Sequence, residues 1–153
     1  YVSATPLDAK LVEAMRTGAI GPGMSSVERN RALVDQFGWD AALARKIWAF
    51  GPLDRAASGA DSEMPTNILV DCSHGLDNLH LVKDHIVSAF HAVCAEGHLA
   101  RERISGVRLE IRDAKIIPDP AHRGAGQVVP ASSRAMAAAM AAASPALLEP
   151  MFR

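Results

Sequence analysis

Between Gly106 and Pro130 the chain changes character twice, and those changes limit how it can fold. Val107, Leu109 and Ile111 alternate with Arg108, Glu110 and Arg112, the two-residue period of a strand with one apolar face. A short stretch follows, Asp119-Pro120-Ala121-His122-Arg123-Gly124-Ala125-Gly126-Gln127, which sets one imidazole and one guanidinium between prolines and glycines. Pro118 and Pro120 fix φ at its entry, and Gly124 and Gly126 are expected to let its exit pass through conformations most residues avoid. Pro130 then opens an alanine-rich run, Ala131 to Ala143, with proline expected in the first helical turn, where a missing N–H matters least. Strand, presented loop and helix are the local plan, and the loop presents His122.

At 153 residues the chain is long enough for one domain with a core of its own. Nearly half its residues are hydrophobic, but alanine supplies much of that and aromatics are few, so Leu, Ile, Val and Met must fill the interior. Sixteen basic residues face seventeen acidic ones, which excludes a large basic footprint for the whole chain. Nucleic-acid contact would have to be local. From Arg101 to Arg123 six basic residues outnumber four acidic, a small excess. Cys72 and Cys94 fit a reducing compartment and read as small buried hydrophobes, making the cytosol the expected location. No apolar run reaches the roughly 18 to 20 residues of a membrane span. The chain opens on Tyr1 and is expected to be a piece of something longer, with residues 1–148 forming one domain and 149–153 beginning a connection to the next.

Taken in order, Tyr1 to Thr5 reads as a short strand, and Pro6 opens a helical pattern through Leu7, Leu11, Val12 and Met15. Ser25 or Ser26 is placed to cap a helix that Gly38 stops, and Asp40 to cap a short one over Ala41 to Arg45. Ile47, Trp48 and Phe50 form a strand ending at Gly51-Pro52; residues 53–65 lack periodicity and read as a mobile surface insert. Thr66 to Asp71 is a compact strand. The clearest apolar stripe is Leu79, Val82, Ile86, Val87, Phe90, Val93 and Cys94, expected to form one helix from a capping Asp77 to a stop at Gly97. His85, His91 and Cys94 share that segment, but Cys94 lies on the apolar stripe and His85 is out of register, so no metal site is expected. Trp39, Trp48, Phe37 and Phe50 sit at element ends and read as core rather than as a stacking platform.

His122 leaves three chemical readings open: a general base, a ligand, or a group that touches RNA. A neutral imidazole serves as an acid or base near physiological pH, and it equally offers a flat face and hydrogen-bonding edges to RNA. Asp119 is the only carboxylate in the loop, no Ser-His-Asp setting is present, and the glycines lack a P-loop lysine. On residues alone an enzyme using His122 beside an anion held by Gly124 and Gly126 remains open, with no catalytic set to complete it.

His122-Arg123-Gly124-Ala125-Gly126-Gln127-Val128-Val129-Pro130, preceded by Asp119, resembles the loop of eukaryotic and archaeal elongation factor 2 whose histidine becomes diphthamide. Lys46-Ile47-Trp48-Ala49-Phe50-Gly51-Pro52, Asn67-Ile68-Leu69-Val70-Asp71, Gly106-Val107-Arg108 and Glu149-Pro150 follow in that family's order, so the resemblance spans nearly the whole chain. It implies domain IV of a translational GTPase: an α+β fold similar to the second domain of ribosomal protein S5, a mixed sheet with helices packed on one face.

By the same resemblance residues 116–127 form a tip that enters the decoding region of the ribosome and meets ribosomal RNA and the tRNA–mRNA duplex during translocation. His122 would be the modified residue. Asp119, Arg123, Gly124, Gly126, Gln127, Lys115 and Arg112 would be the RNA-contacting set. Diphthamide-synthesis enzymes and ADP-ribosylating toxins are the further partners implied. No cofactor is expected in this segment, and it is not expected to be an enzyme; GTP and Mg²⁺ belong to an upstream domain of the family. The chain departs from the family pattern at Ile117, where a second histidine is usual, at Pro118 and Pro120, where alanines are common, and at Ala125, which replaces the middle glycine. A factor-like paralogue without translocation activity is the remaining alternative.

Overall fold

A computed structural model describes residues 1–53 and 64–148. The interior of the 53–65 insert and residues 149–153 lie outside the described residues. Four strands, β1 (Val2–Pro6), β2 (Ile47–Gly51), β3 (Asn67–Asp71) and β4 (Val107–Ile111), form one sheet in the order β1-β4-β3-β2. β3 runs parallel to β4, and the two outer pairings are antiparallel. The parallel pair requires a crossover, supplied by a 3-10 turn over Leu79–Val82 leading directly into α4 (Lys83–Ala95).

The helices α1 (Ala9–Arg16), α2 (Ser26–Phe37) and α3 (Ala41–Arg45) lie between β1 and β2, and α5 (Ala125–Ala142) follows the loop after β4. Their starts follow local chemistry. Asp8 accepts from the Lys10 N–H at 2.8 Å, and Asp40 accepts from Ala42 and Leu43. Ser25 caps α2: its Oγ accepts from Glu28 N–H and its hydroxyl donates to Glu28 Oε2 at 2.7 Å. Gly38 ends α2 at φ 66°, a left-handed turn that costs a glycine little.

Helices cover both faces of the sheet, where one face was expected. Leu69 points to one side with Leu109, Phe90, Met136 and Met140 under α4 and α5. Its neighbours Ile68 and Val70 point to the other, with Leu11, Met15, Leu33 and Ala44 from α1, α2 and α3. A short strand buried on both sides must be apolar without alternation, which is why Ile68-Leu69-Val70 reads as an unbroken run. Each such side chain contributes on the order of 1.5–3 kcal/mol by leaving water. A register shift in β2 between Ile47 and Ala49 lets Trp48 and Ala49 pack on the α4 side while Ile47 and Phe50 face the other. Phe37 and Trp39 pack beside Phe50, so all four of these aromatic residues serve the interior.

Two details differ from the sequence reading. Asp77 does not cap the crossover helix: Asn78 takes a left-handed φ of 64°, and one 3-10 turn precedes the α-helix. α5 begins at Ala125, so Pro130 lies inside it rather than in its first turn. The carbonyl of Gly124 accepts from both Gln127 and Val128 and sets the first turn early. Gly126 and Pro130 are both exposed, so the helical bond that proline removes is lost on the outer face of α5.

Where backbones approach closely, residue choice is narrow. A Cβ on Gly51 would lie 2.5 Å from the Phe90 ring, so β2 and α4 meet at this distance only with glycine there. Asn67, fully buried, donates to the Gly51 and Ile104 carbonyls at 3.0 and 2.6 Å and accepts from Val107 N–H at 3.0 Å. It fastens β2, β3 and the start of β4 with every bond made.

Candidate functional site: a projecting loop at the end of β4

β4 is the inner strand that ends in the loop. Its apolar side chains Val107, Leu109 and Ile111 anchor it against α4 and α5, so the segment that leaves at Arg112 starts from a fixed point. Beyond it Ala114 and Ile116 still pack against the core, while Lys115, Ile117, Pro118, Asp119, Pro120, Ala121 and His122 are exposed. A single 3-10 turn, Pro120–His122, forms the crest. Asp119 caps that turn through Ala121 N–H at 2.9 Å, and its other oxygen sits 3.0 Å from His122 Nδ1.

Residues three apart eclipse one another in a 3-10 turn, which brings this carboxylate and imidazole together. A proton on Nδ1 donates to Asp119 and leaves the Nε2 edge turned away from the carboxylate. Both side chains are more than half exposed, 61% for His122 and 56% for Asp119, so the pair orients the ring at the surface. The spacing Asp-x-x-His was the available sequence signal for this contact.

The glycines behave differently from the expectation. Gly124 has φ −71° and ψ 165°, extended backbone open to any residue, and Gly126 lies within the first turn of α5. Only Gly124 has a close neighbour: a Cβ there would sit 3.2 Å from the Gln127 side-chain oxygen, whereas one on Gly126 meets nothing.

Of the remaining residues, His122, Arg123, Gln127 and Lys115 border one open groove of about 310 Å³ whose floor includes Ile116 and Met136. Arg112 is not among them. Its Nε donates to Ser3 Oγ at 3.0 Å and its Nη2 pairs with Glu110, holding the guanidinium against the sheet. The loop therefore gathers His122, Asp119, Arg123, Gln127 and Lys115, and leaves Arg112 on a separate surface. Among the described residues no group of three His, Cys, Asp or Glu side chains is arranged to hold a metal ion. Cys94 is fully buried in the core, and burial pushes its thiol far above the ordinary range.

The family described as elongation factor G, domain IV, matches residues 23–144, which carry β2, β3, β4 and the whole loop. The chain belongs to this family. It is thus a domain IV of a translation elongation factor, the ribosome-interacting class, and its α+β mixed sheet is the ribosomal protein S5 domain 2-like fold. β1 lies outside the matched span, yet it completes the elongation factor domain by pairing with β4 from Val2↔Ile111 to Pro6↔Val107. No helix among the described residues is long and apolar enough to cross a membrane.

Proposed function

We propose that this chain is domain IV of an elongation factor 2 of the eukaryotic and archaeal type. In this reading it enters the decoding region as tRNA and mRNA advance, in a cytoplasmic factor whose upstream domain binds GTP and Mg²⁺. His122 is the residue extended to diphthamide, and afterwards the acceptor for ADP-ribosylating toxins. The observation that carries the reading is an exposed imidazole on the crest of a stiff turn that is anchored in a buried strand. An extended, cationic side chain on such a crest reaches the wide minor groove of a codon–anticodon duplex, where shape, phosphates and 2′-hydroxyls are read. Arg123 and Lys115 supply phosphate contacts beside it, and Asp119 fixes the ring.

The Asp119–His122 contact also suits an acid/base pair, which is the one observation favouring an enzyme. Both groups stand in water with no enclosing cavity, which favours presentation over catalysis. Ile117, in the place of the family's usual second histidine, is the feature a non-translocating paralogue would share.

The test is single-round translocation by the full factor carrying His122→Ala or Arg123→Ala. Losing one charge-assisted contact of about 1.5–3 kcal/mol slows translocation roughly tenfold or more if it is made in the rate-limiting step. His122→Ala should also raise frameshifting. Unaltered rate and frame in both variants would overturn the proposal.

A further inference from the structure

The groove beside the loop joins an apolar bed to a polar edge. Its volume, about 310 Å³, is at the low end for small-ligand sites and suits one flat group. Ile116 and Val128, partly exposed, form the bed over the buried Val82, Ile86 and Met136. Tyr1 and Ile117 also line it, 80% and 50% exposed, two of the large apolar side chains that the fold leaves in water. The backbone of Tyr1 is fixed there, because its carbonyl accepts from Arg112 N–H at 2.9 Å.

The polar edge carries Lys115, His122, Arg123 and Gln127. Arg123 is partly buried, yet among the described residues neither its side chain, nor that of Lys115, nor the Gln127 carboxamide has a hydrogen-bond or ion-pair partner. The carboxamide rests against Gly124, where a Cβ would come within 3.2 Å of its oxygen, so glycine leaves it room at the tip end of the groove. Asp113 is the one acid among the lining residues, and Asp119 is turned to His122 and its own 3-10 turn.

Unpartnered donors beside an apolar bed fit a ligand that is flat and apolar on its faces and rich in acceptors at its rim. A nucleotide has that division: its base stacks, its base edge hydrogen-bonds, and its phosphate meets ammonium and guanidinium groups. An apolar protein side chain would cover the bed and leave those donors without acceptors. A base inside a helix has its faces and pairing edge covered, so only an unpaired one fits.

We propose that the groove seats one unpaired nucleotide of RNA, its base on the apolar bed, its edge at Gln127 and its phosphate at Lys115 and Arg123. This deepens the proposed ribosomal role and rests on it: the crest meets the duplex while the groove behind it takes a base standing outside that duplex.

The test combines affinity for ribosomes with chemical probing of the bound RNA's base edges by dimethyl sulfate and carbodiimide. It uses the full factor as wild type, Ala131→Phe, Ala138→Phe and Gln127→Ala. Ala131 is exposed on the groove wall, so phenylalanine there fills the groove without entering the core. Ala138 is exposed about two turns farther along α5, outside the groove. Wild type should protect the pairing edge of one unpaired base. Ala131→Phe should expose that edge and weaken binding by about fivefold to hundredfold, the contribution of one stacked base. Gln127→Ala should expose the same edge with a smaller loss, and Ala138→Phe should change neither. Equal protection by wild type and Ala131→Phe, or no protected base in wild type, overturns the inference. If Ala131→Phe then still binds more weakly, a protein side chain occupies the groove. The tip is judged apart, by translocation with His122→Ala: slowed translocation with no protected base removes the groove alone. Normal translocation and frame, with a base released by Ala131→Phe, removes the tip reading and keeps the nucleotide seat.

Discussion

β3 and the loop after β4 are separated by one parallel pairing and built on opposite terms. Ile68, Leu69 and Val70 are fully buried between two layers of helices, while His122 and Asp119 bond mainly to each other and to their own turn. The central strand is held by everything around it. The loop is held at its base, so its crest is free to be specified by what it meets outside the protein. In the proposed role stability and function rest on different residues, and perturbations should separate them.

The largest expected losses lie in the core. Phe90→Ala should cost about 3–5 kcal/mol, measured as the fall in unfolding free energy in urea. Gly51→Ala, which drives a methyl into that same ring, should also destabilise. Asn67→Ala orphans the Val107 N–H and the Gly51 and Ile104 carbonyls, with a loss of about 1–3 kcal/mol or more in the same assay.

A rise in pH should reach the core through Cys94. The Cys94 thiol is held protonated by burial, so the unfolded chain loses this proton first once pH passes the ordinary thiol value of 9.0. Stability is then full below that value and should fall by about 1.4 kcal/mol by pH 10 from this thiol. Cys94→Ala should remove that part of the slope.

Smaller effects sharpen the contrast. Asp40→Ala, which strips the cap from α3, should cost about 1 kcal/mol. His122→Ala should change stability by less than about 0.5 kcal/mol while still slowing translocation. A large loss of stability at His122 would mean that the crest belongs to the core after all.

The same division governs how much the sequence discloses. The buried elements are legible because burial imposes a period: Val107, Leu109 and Ile111 alternate, Ile68 to Val70 do not, and both patterns match the layers they occupy. Ser25, Gly38 and Asp40 mark helix ends through bonds made within three or four residues. The left-handed Asn78 is less visible, because nothing nearby in sequence forces it. Pro130 misleads, since a proline inside an exposed turn costs less than its usual position suggests. That helices cover both faces is hidden because the second cluster joins Leu11, Leu33 and Val70 across long separations.

At the site, the loop and its histidine are evident from proline and glycine spacing, and Asp119 follows from its three-residue offset. Arg112 defeats a linear reading. It stands three residues before Lys115, yet the alternation of β4 sends it to the face of Glu110 and Ser3.

The proposed role depends most on His122 being presented to the outside and used there. Mass spectrometry of the peptide spanning Lys115 to Arg134, from protein isolated from its natural source, tests this directly. It should show a mass increment equal to the diphthamide extension, localised to His122. A fully unmodified His122 in folded, native protein would contradict the account and leave the tip with Arg123 and the shape of its turn alone.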